Sequence, residues 1–196
     1  KSALELLDRI AVDDQSLTEA RLALAAAANA AGDGERAVRE SEAAVKLDPT
    51  NELTAITAAR FAQDGPAGKA PGIAILDGFL TRKPKAIEAR FSYARLLASE
   101  GRKQDARDQY ELALKQEPES PAILFSLGQL AYQTDQKELA IDYLSRYVAL
   151  PRTVQRDNNP AHLFLGQIAE ELKRYDEAVD YYGKVGPGEQ YLDARI

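Results

Sequence analysis

A single histidine, His162, stands in a chain of 196 residues that contains no cysteine. Imidazole is the usual general base and metal ligand near neutral pH, but either task needs a second group to orient it or to share the metal. No other histidine and no thiolate is present, so packing on a helix is the better account of His162. The lack of cysteine also removes disulfides, thiolate metal sites and thiol nucleophiles. Carboxylates occur in close pairs, Glu170–Glu171 and Glu117 with Glu119. Acid–base work would require a pocket that drives their pKa values apart, whereas on open helix faces they are solvated charges. Gly65, Gly68 and Lys69 invite a phosphate-loop reading. The P-loop pattern has four residues between its glycines and Ser or Thr after the lysine. Here two residues intervene and Ala70 follows, so DGPAGKAPG reads as a turn. The expected set of catalytic, cofactor-binding and metal-ligating residues is therefore empty, and the chain is not expected to be an enzyme.

The elements that would position any binding residue are helices. In residues 121–151, Ser120 suits an N-cap and Pro121 the first helical position, where its missing N–H costs nothing. Ile123, Leu124, Leu127 and Ala131 recur at helical spacing. The pattern breaks near 134–136, where Asp135 with Glu138 reads as a capping box. A second helix then carries Leu139, Ala140, Tyr143, Leu144, Tyr147 and Val148 on one face and stops at Pro151. Gly128 and Ala140 are small where the two helices should cross.

The same pattern returns at an offset of about 34 residues. Tyr93, Ala94, Leu97, Ala106, Tyr110, Ala113 and Pro118 form one copy; Leu24, Ala25, Ala28, Gly32, Ala37, Ala44 and Pro49 form another. Leu165, Gly166, Ala169, Ala178 and Tyr182 continue it downstream. These positions resemble the tetratricopeptide repeat family over nearly the whole chain. The resemblance implies an all-α, right-handed superhelical solenoid of antiparallel helix pairs, with repeats at about 18–51, 53–86, 87–120, 121–154 and 159–192. The copy at 53–86 is degenerate, its front helix running from Glu52 to about Gln63 before the DGPAGKAPG turn. Part-repeats at 1–15 and 187–196 suggest a fragment of a longer protein. The polar 152–159 segment lengthens one spacing and is a candidate contact loop, after which Asn159 and Pro160 should restart a helix as N-cap and first position.

In such an array the front helix of each pair lines a concave face. Positions two, five, nine and twelve of each repeat then select Phe61, Phe91, Arg95, Phe125, Gln129, Tyr132, Leu163 and Gln167 as residues for a protein or peptide groove. The alternative is that the aromatics among them pack between neighbouring helices. The family's carboxylate clamp for chaperone tails is missing, since Leu22 with Ala26 and Phe91 with Arg95 fill the matching positions.

A net charge of −6 at pH 7 argues against a nucleic-acid partner. No run reaches the about eighteen apolar residues of a membrane span, so this stretch should not cross a bilayer. The stretch AVDYYGKVGPGEQYLDARI is similar to long tetratricopeptide lipoproteins of the bacterial envelope that act as adaptors for a carboxy-terminal processing protease. That resemblance implies a periplasmic scaffold, anchored to the outer membrane through a lipoprotein signal outside this sequence, with a protease or envelope assembly complex as partner. Cytoplasmic placement is the alternative. The leading expectation is a non-catalytic interaction scaffold without cofactor. The others are a substrate-recruiting arm of a larger enzyme and a self-association module joined through terminal repeats.

Overall fold

Ten helices form among the described residues: α1 (Asp14–Ala30), α2 (Gly34–Leu47), α3 (Glu52–Phe61), α4 (Ala70–Arg82), α5 (Ile87–Ser99), α6 (Lys103–Gln116), α7 (Pro121–Gln133), α8 (Lys137–Ala149), α9 (Asn159–Glu171) and α10 (Tyr175–Gly183). No strand is present among these residues. The computed structural model describes residues 14–63, 65, 68–151 and 157–186. The part-repeat ends at 1–13 and 187–196, and most of the 152–159 segment, lie outside that set. The helix contacts divide the chain into two units, Lys1–Gln109 and Tyr110–Ile196, with the boundary inside α6.

In the first unit α1 packs on α2 and α3 on α4, and the front helices α1, α3 and α5 follow one another. Their contact surfaces are thin: Ala25, Ala28, Ala55, Ala58, Ala59 and Ala89 are all buried. Bulk comes from the partner helices, above all Leu76 and Phe79 of α4, each 1% exposed. The second unit pairs α7 with α8 and α9 with α10. Its core is larger-grained, built on Ile123, Leu124, Leu127, Leu144, Leu165 and Ile168. Tyr93, Ala94, Leu97, Ala106, Tyr110 and Ala113, which carry the repeat pattern in the sequence, are buried as that pattern requires.

Four front helices end in the same turn. Gly32 (φ +77°), Gly101 (φ +78°), Asp135 (φ +56°) and Lys173 (φ +61°) adopt the left-handed conformation. The next residue then donates its N–H back into the helix: Asp33 to Ala28, Arg102 to Leu97, Gln136 to Ala131 and Arg174 to Ala169, at 2.9, 3.0, 2.9 and 2.8 Å. This six-to-one bond satisfies a carbonyl that the helix end would leave bare. It also revises the capping box expected at Asp135. A left-handed residue does not serve as N-cap, and α8 instead starts after Gln136, which makes no side-chain cap bond. Asp135 pairs with Lys137 at 3.3 Å, and Glu138 holds the Arg174 guanidinium.

Two further sequence expectations change. Helix α4 begins inside the Gly- and Pro-rich stretch, because Pro71 falls in its first turn, where no N–H is needed. Gly72 then lies so near α3 that a Cβ there would stand 2.6 Å from the Ala59 carbonyl oxygen. Asn159 is the first residue of α9 rather than its cap. Its side chain accepts from Gly186 N–H at 2.9 Å and donates to Gly186 O at 3.3 Å, tying the start of α9 to the segment after α10. A Cβ on Gly128 would lie 2.6 Å from Leu144 Cγ, so this glycine is confined where α7 meets α8. Ala140 itself is fully buried.

Candidate functional site

Helix α7 commits Ile123, Leu124, Leu127, Leu130 and Ala131 to the interior, which turns Phe125, Gln129 and Tyr132 toward its half-buried side. On α9 the buried set is Ala161, Leu163, Leu165, Ile168 and Ala169, leaving Phe164 half-buried and Gln167 exposed. The rings form a connected series. Phe125 lies 5.3 Å from Tyr147 and 6.1 Å edge-on from Phe164, and Tyr132 lies 5.9 Å from Phe164, also edge-on. Such arrangements set the positive edge of one ring against the negative face of another. Phe125 therefore rests partly on the buried Tyr147, and Phe125, Phe164 and Tyr132 are all half-buried. Gln129 and Gln167 occupy the same position in successive front helices, and neither has a hydrogen-bond partner among the described residues.

Beside the rings lies a polar rim. The Tyr132 hydroxyl donates to Glu171 Oε1 at 2.6 Å, and Lys137 Nζ reaches Glu171 Oε2 at 3.1 Å. These two contacts hold the Glu171 carboxyl below its ordinary value, and the bond to Glu171 raises the Tyr132 phenol. Tyr182 donates to Glu170 Oε2 at 3.0 Å. Burial first, and then this carboxylate, push the Tyr182 phenol up to about 12 from 10.0. Because folding retains the proton, this stabilisation is complete below pH 10 and is lost as the pH climbs from 10 toward 12. In an ultraviolet titration of the folded protein, Tyr182→Phe should remove one tyrosine ionising near pH 12. An unchanged high-pH phase in that variant would show that Tyr182 is not held as described.

In the first unit the corresponding place is a cleft of about 250 Å³ between α3 and α5, lined by Leu53, Ile56, Thr57, Arg60, Ser92 and Arg95. Leu53 is 71% exposed at its rim. Arg95, expected on this face, lines the cleft together with Thr57. Phe61 and Phe91 are half-buried and lie outside the lining; the Arg60 guanidinium sits 4.9 Å over the Phe61 ring. Lys69 is not free for phosphate, since it donates to Ser99 O at 3.0 Å and pairs with Glu100 at 3.7 Å. His162 is half-buried in the first turn of α9, and no group of metal-ligating side chains forms among the described residues.

Leu163 is a correction: at 9% exposure it belongs to the packing, and Phe164 meets Phe125 instead. The reason is a rule that both units obey. A side chain at position five of one front helix faces position six of the next. Phe125 thus meets Phe164, while Thr57 shares its cleft with Ser92. The size of the residue at position six decides the surface. Phenylalanine fills the space with an aromatic ridge, whereas serine leaves a recess. Counting position five alone misses Phe164, although its place after Leu163 was readable from the repeat register.

No curated protein sequence matches the chain. Solved structures similar in fold include MamA, at 20% identity over 88% of this chain and 94% of that one, with a TM-score of 0.69. Pseudomonas aeruginosa PilF is similar at 17% identity over 92% of this chain and 81% of that one, with a TM-score of 0.66. PilW, described as a widely conserved type IV pilus biogenesis factor, is similar at 17% identity over 91% and 83% of the two chains, with a TM-score of 0.68. At these identities the likeness is one of fold, an all-α solenoid. Sequence models described as tetratricopeptide repeat match residues 72–121 and 94–154, and another matches 160–185. Together they cover more than half of the chain, which belongs to the tetratricopeptide repeat family.

Proposed function

We propose that this protein holds an extended protein or peptide segment on the α7–α9 face. The aromatic ridge of Phe125, Phe164 and Tyr132 would seat apolar side chains, and Gln129 and Gln167 would bond the segment's backbone. The observation that carries this reading is the pair of glutamines at equivalent positions, both without a side-chain partner among the described residues and beside half-buried rings. An amide offers a donor and an acceptor together, which matches a peptide group. Rigid rings supply contact area with little loss of conformational freedom. The setting we attach is the bacterial envelope, with the chain as a periplasmic adaptor that brings a protease or an assembly factor to its target. Support for the setting comes from the resemblance of residues 178–196 to envelope lipoproteins and from the shared fold with PilW.

The test selects displayed peptides on the parent protein and titrates each against the Gln129→Ala/Gln167→Ala variant. Neither amide has an internal bond to lose, so the variant should melt like the parent. Affinity should fall by about tenfold or more, as expected for two hydrogen bonds worth about 0.5–1.5 kcal/mol each. Undiminished binding of the selected peptides, or failure to select any, would contradict the proposal.

A further inference from the structure

The turn between α4 and α5 reads Arg82, Lys83, Pro84, Lys85, in a chain whose net charge is −6. All three cations are exposed, and none has an acidic partner among the described residues. They surround an open cleft of about 450 Å³ whose floor reaches Phe79 and Ala86. The carboxylate on its wall, Glu52, is engaged elsewhere, accepting the Ala89 N–H at 2.7 Å.

Local structure accounts for only part of this charge. Arg82 in the last turn of α4 and Lys83 at its C-cap complement the negative end of the helix. Lys85 does the reverse, because it stands just before α5, where the helix end is positive. The turn itself does not require cations either. The corresponding turns at 48–51 and 117–120 carry Asp48, Glu117 and Glu119. What remains is a recess of positive charge in an acidic protein, away from the front-helix face.

We propose that this recess docks an acidic segment of a partner protein, with two or more carboxylates along an extended backbone. The partly apolar floor and the volume of about 450 Å³ suit a peptide chain better than a single small anion. A lipid surface is a poorer match. Membrane-binding patches combine a longer cationic run with protruding apolar groups. The large exposed apolar side chains among the described residues are Leu53, Leu112, Tyr175 and Val179, none of them in this turn. Charge complementarity of this kind acts mainly on the rate of encounter and on choice of partner.

The probe is a fluorescently labelled peptide in which glutamate alternates with alanine, compared with its glutamine counterpart. The glutamate peptide should bind, weaken as salt is raised, and lose about tenfold in affinity with Arg82→Gln/Lys83→Gln/Lys85→Gln. The glutamine peptide should not bind. Arg82→Glu/Lys83→Glu/Lys85→Glu should instead capture a lysine–alanine peptide, which separates a charge-reading recess from a variant that has merely unfolded. Lys85→Gln alone should lower glutamate-peptide affinity without lowering the melting temperature. Equal binding of the glutamate and glutamine peptides, or affinity indifferent to all these substitutions, would overturn the proposal. So would patch-dependent binding of equimolar phosphatidylserine–phosphatidylcholine vesicles with no binding of the glutamate peptide. Peptides selected on the α7–α9 face should be unaffected by the turn variants, so the two surfaces fail or stand separately.

Discussion

Phe79→Ala should destabilise the protein by about 3–5 kcal/mol, the range expected for truncating a fully buried phenylalanine. The prediction follows from how volume is shared in the degenerate repeat. Its front helix α3 presents Ala55, Ala58 and Ala59, with Ala62 at its C-cap, all buried and none able to fill space by rearranging. Helix α4 must therefore supply the bulk, and Phe79 is its largest buried side chain, at 1% exposure. A neighbour rich in alanine cannot collapse into the hole, which places this site toward the costly end of the range. Gly72 adds to the rigidity, because it already brings α4 against the Ala59 carbonyl. Urea unfolding of parent and variant, followed by helix signal, measures the loss. A variant that unfolds at the parental midpoint would show that α4 does not pack on α3 through Phe79.

The repeat frame was legible because its signal is redundant. Tyr93, Ala94 and Leu97 are each weak evidence of a helix pair, but the same sizes at the same spacing recur along the chain, and each buries where the pattern requires. Turn chemistry was harder to read. Asp135 and Lys173 occupy left-handed positions held by glycine in Gly32 and Gly101, so residue type did not announce the turn. Asp followed by Glu at capping-box spacing then mimicked a helix start that the backbone does not use. Pro71 and Gly72 looked like helix breakers, yet the first sits in the first turn and the second lets two helices approach. The candidate face was half legible. Register alone placed Gln129, Tyr132, Gln167 and Arg95 on open or half-open surface. Which aromatic meets which depends on neighbouring front helices, and that relation put Leu163 inside and Phe164 on the ridge. The basic turn carried no motif, and the proposal for it rests on the absence of acidic partners among the described residues.

The packing beneath the α7–α9 face can be tested by exchanging volume between two residues. Leu144 is fully buried, and truncating it to alanine should cost about 2–5 kcal/mol. Gly128 presents the opposite problem. A side chain there would begin 2.6 Å from Leu144 Cγ and 2.7 Å from Cδ2, so Gly128→Leu should cost about 1–3 kcal/mol by overpacking. If these residues fill one space, the double variant Gly128→Leu/Leu144→Ala should lose clearly less than the sum of the two, since the new leucine occupies the volume that the old one vacated. Contacting residues commonly show coupling of about 0.5–3 kcal/mol, and the sign here should be favourable. Gln129 follows Gly128 directly, so each single variant should also disturb the α7 face and weaken any peptide selected on it. The double variant should recover part of that binding along with its stability. Strict additivity in denaturant unfolding would mean that the α7–α8 contact lies elsewhere, and the placement of Phe125 and Gln129 on a shared face would lose its support.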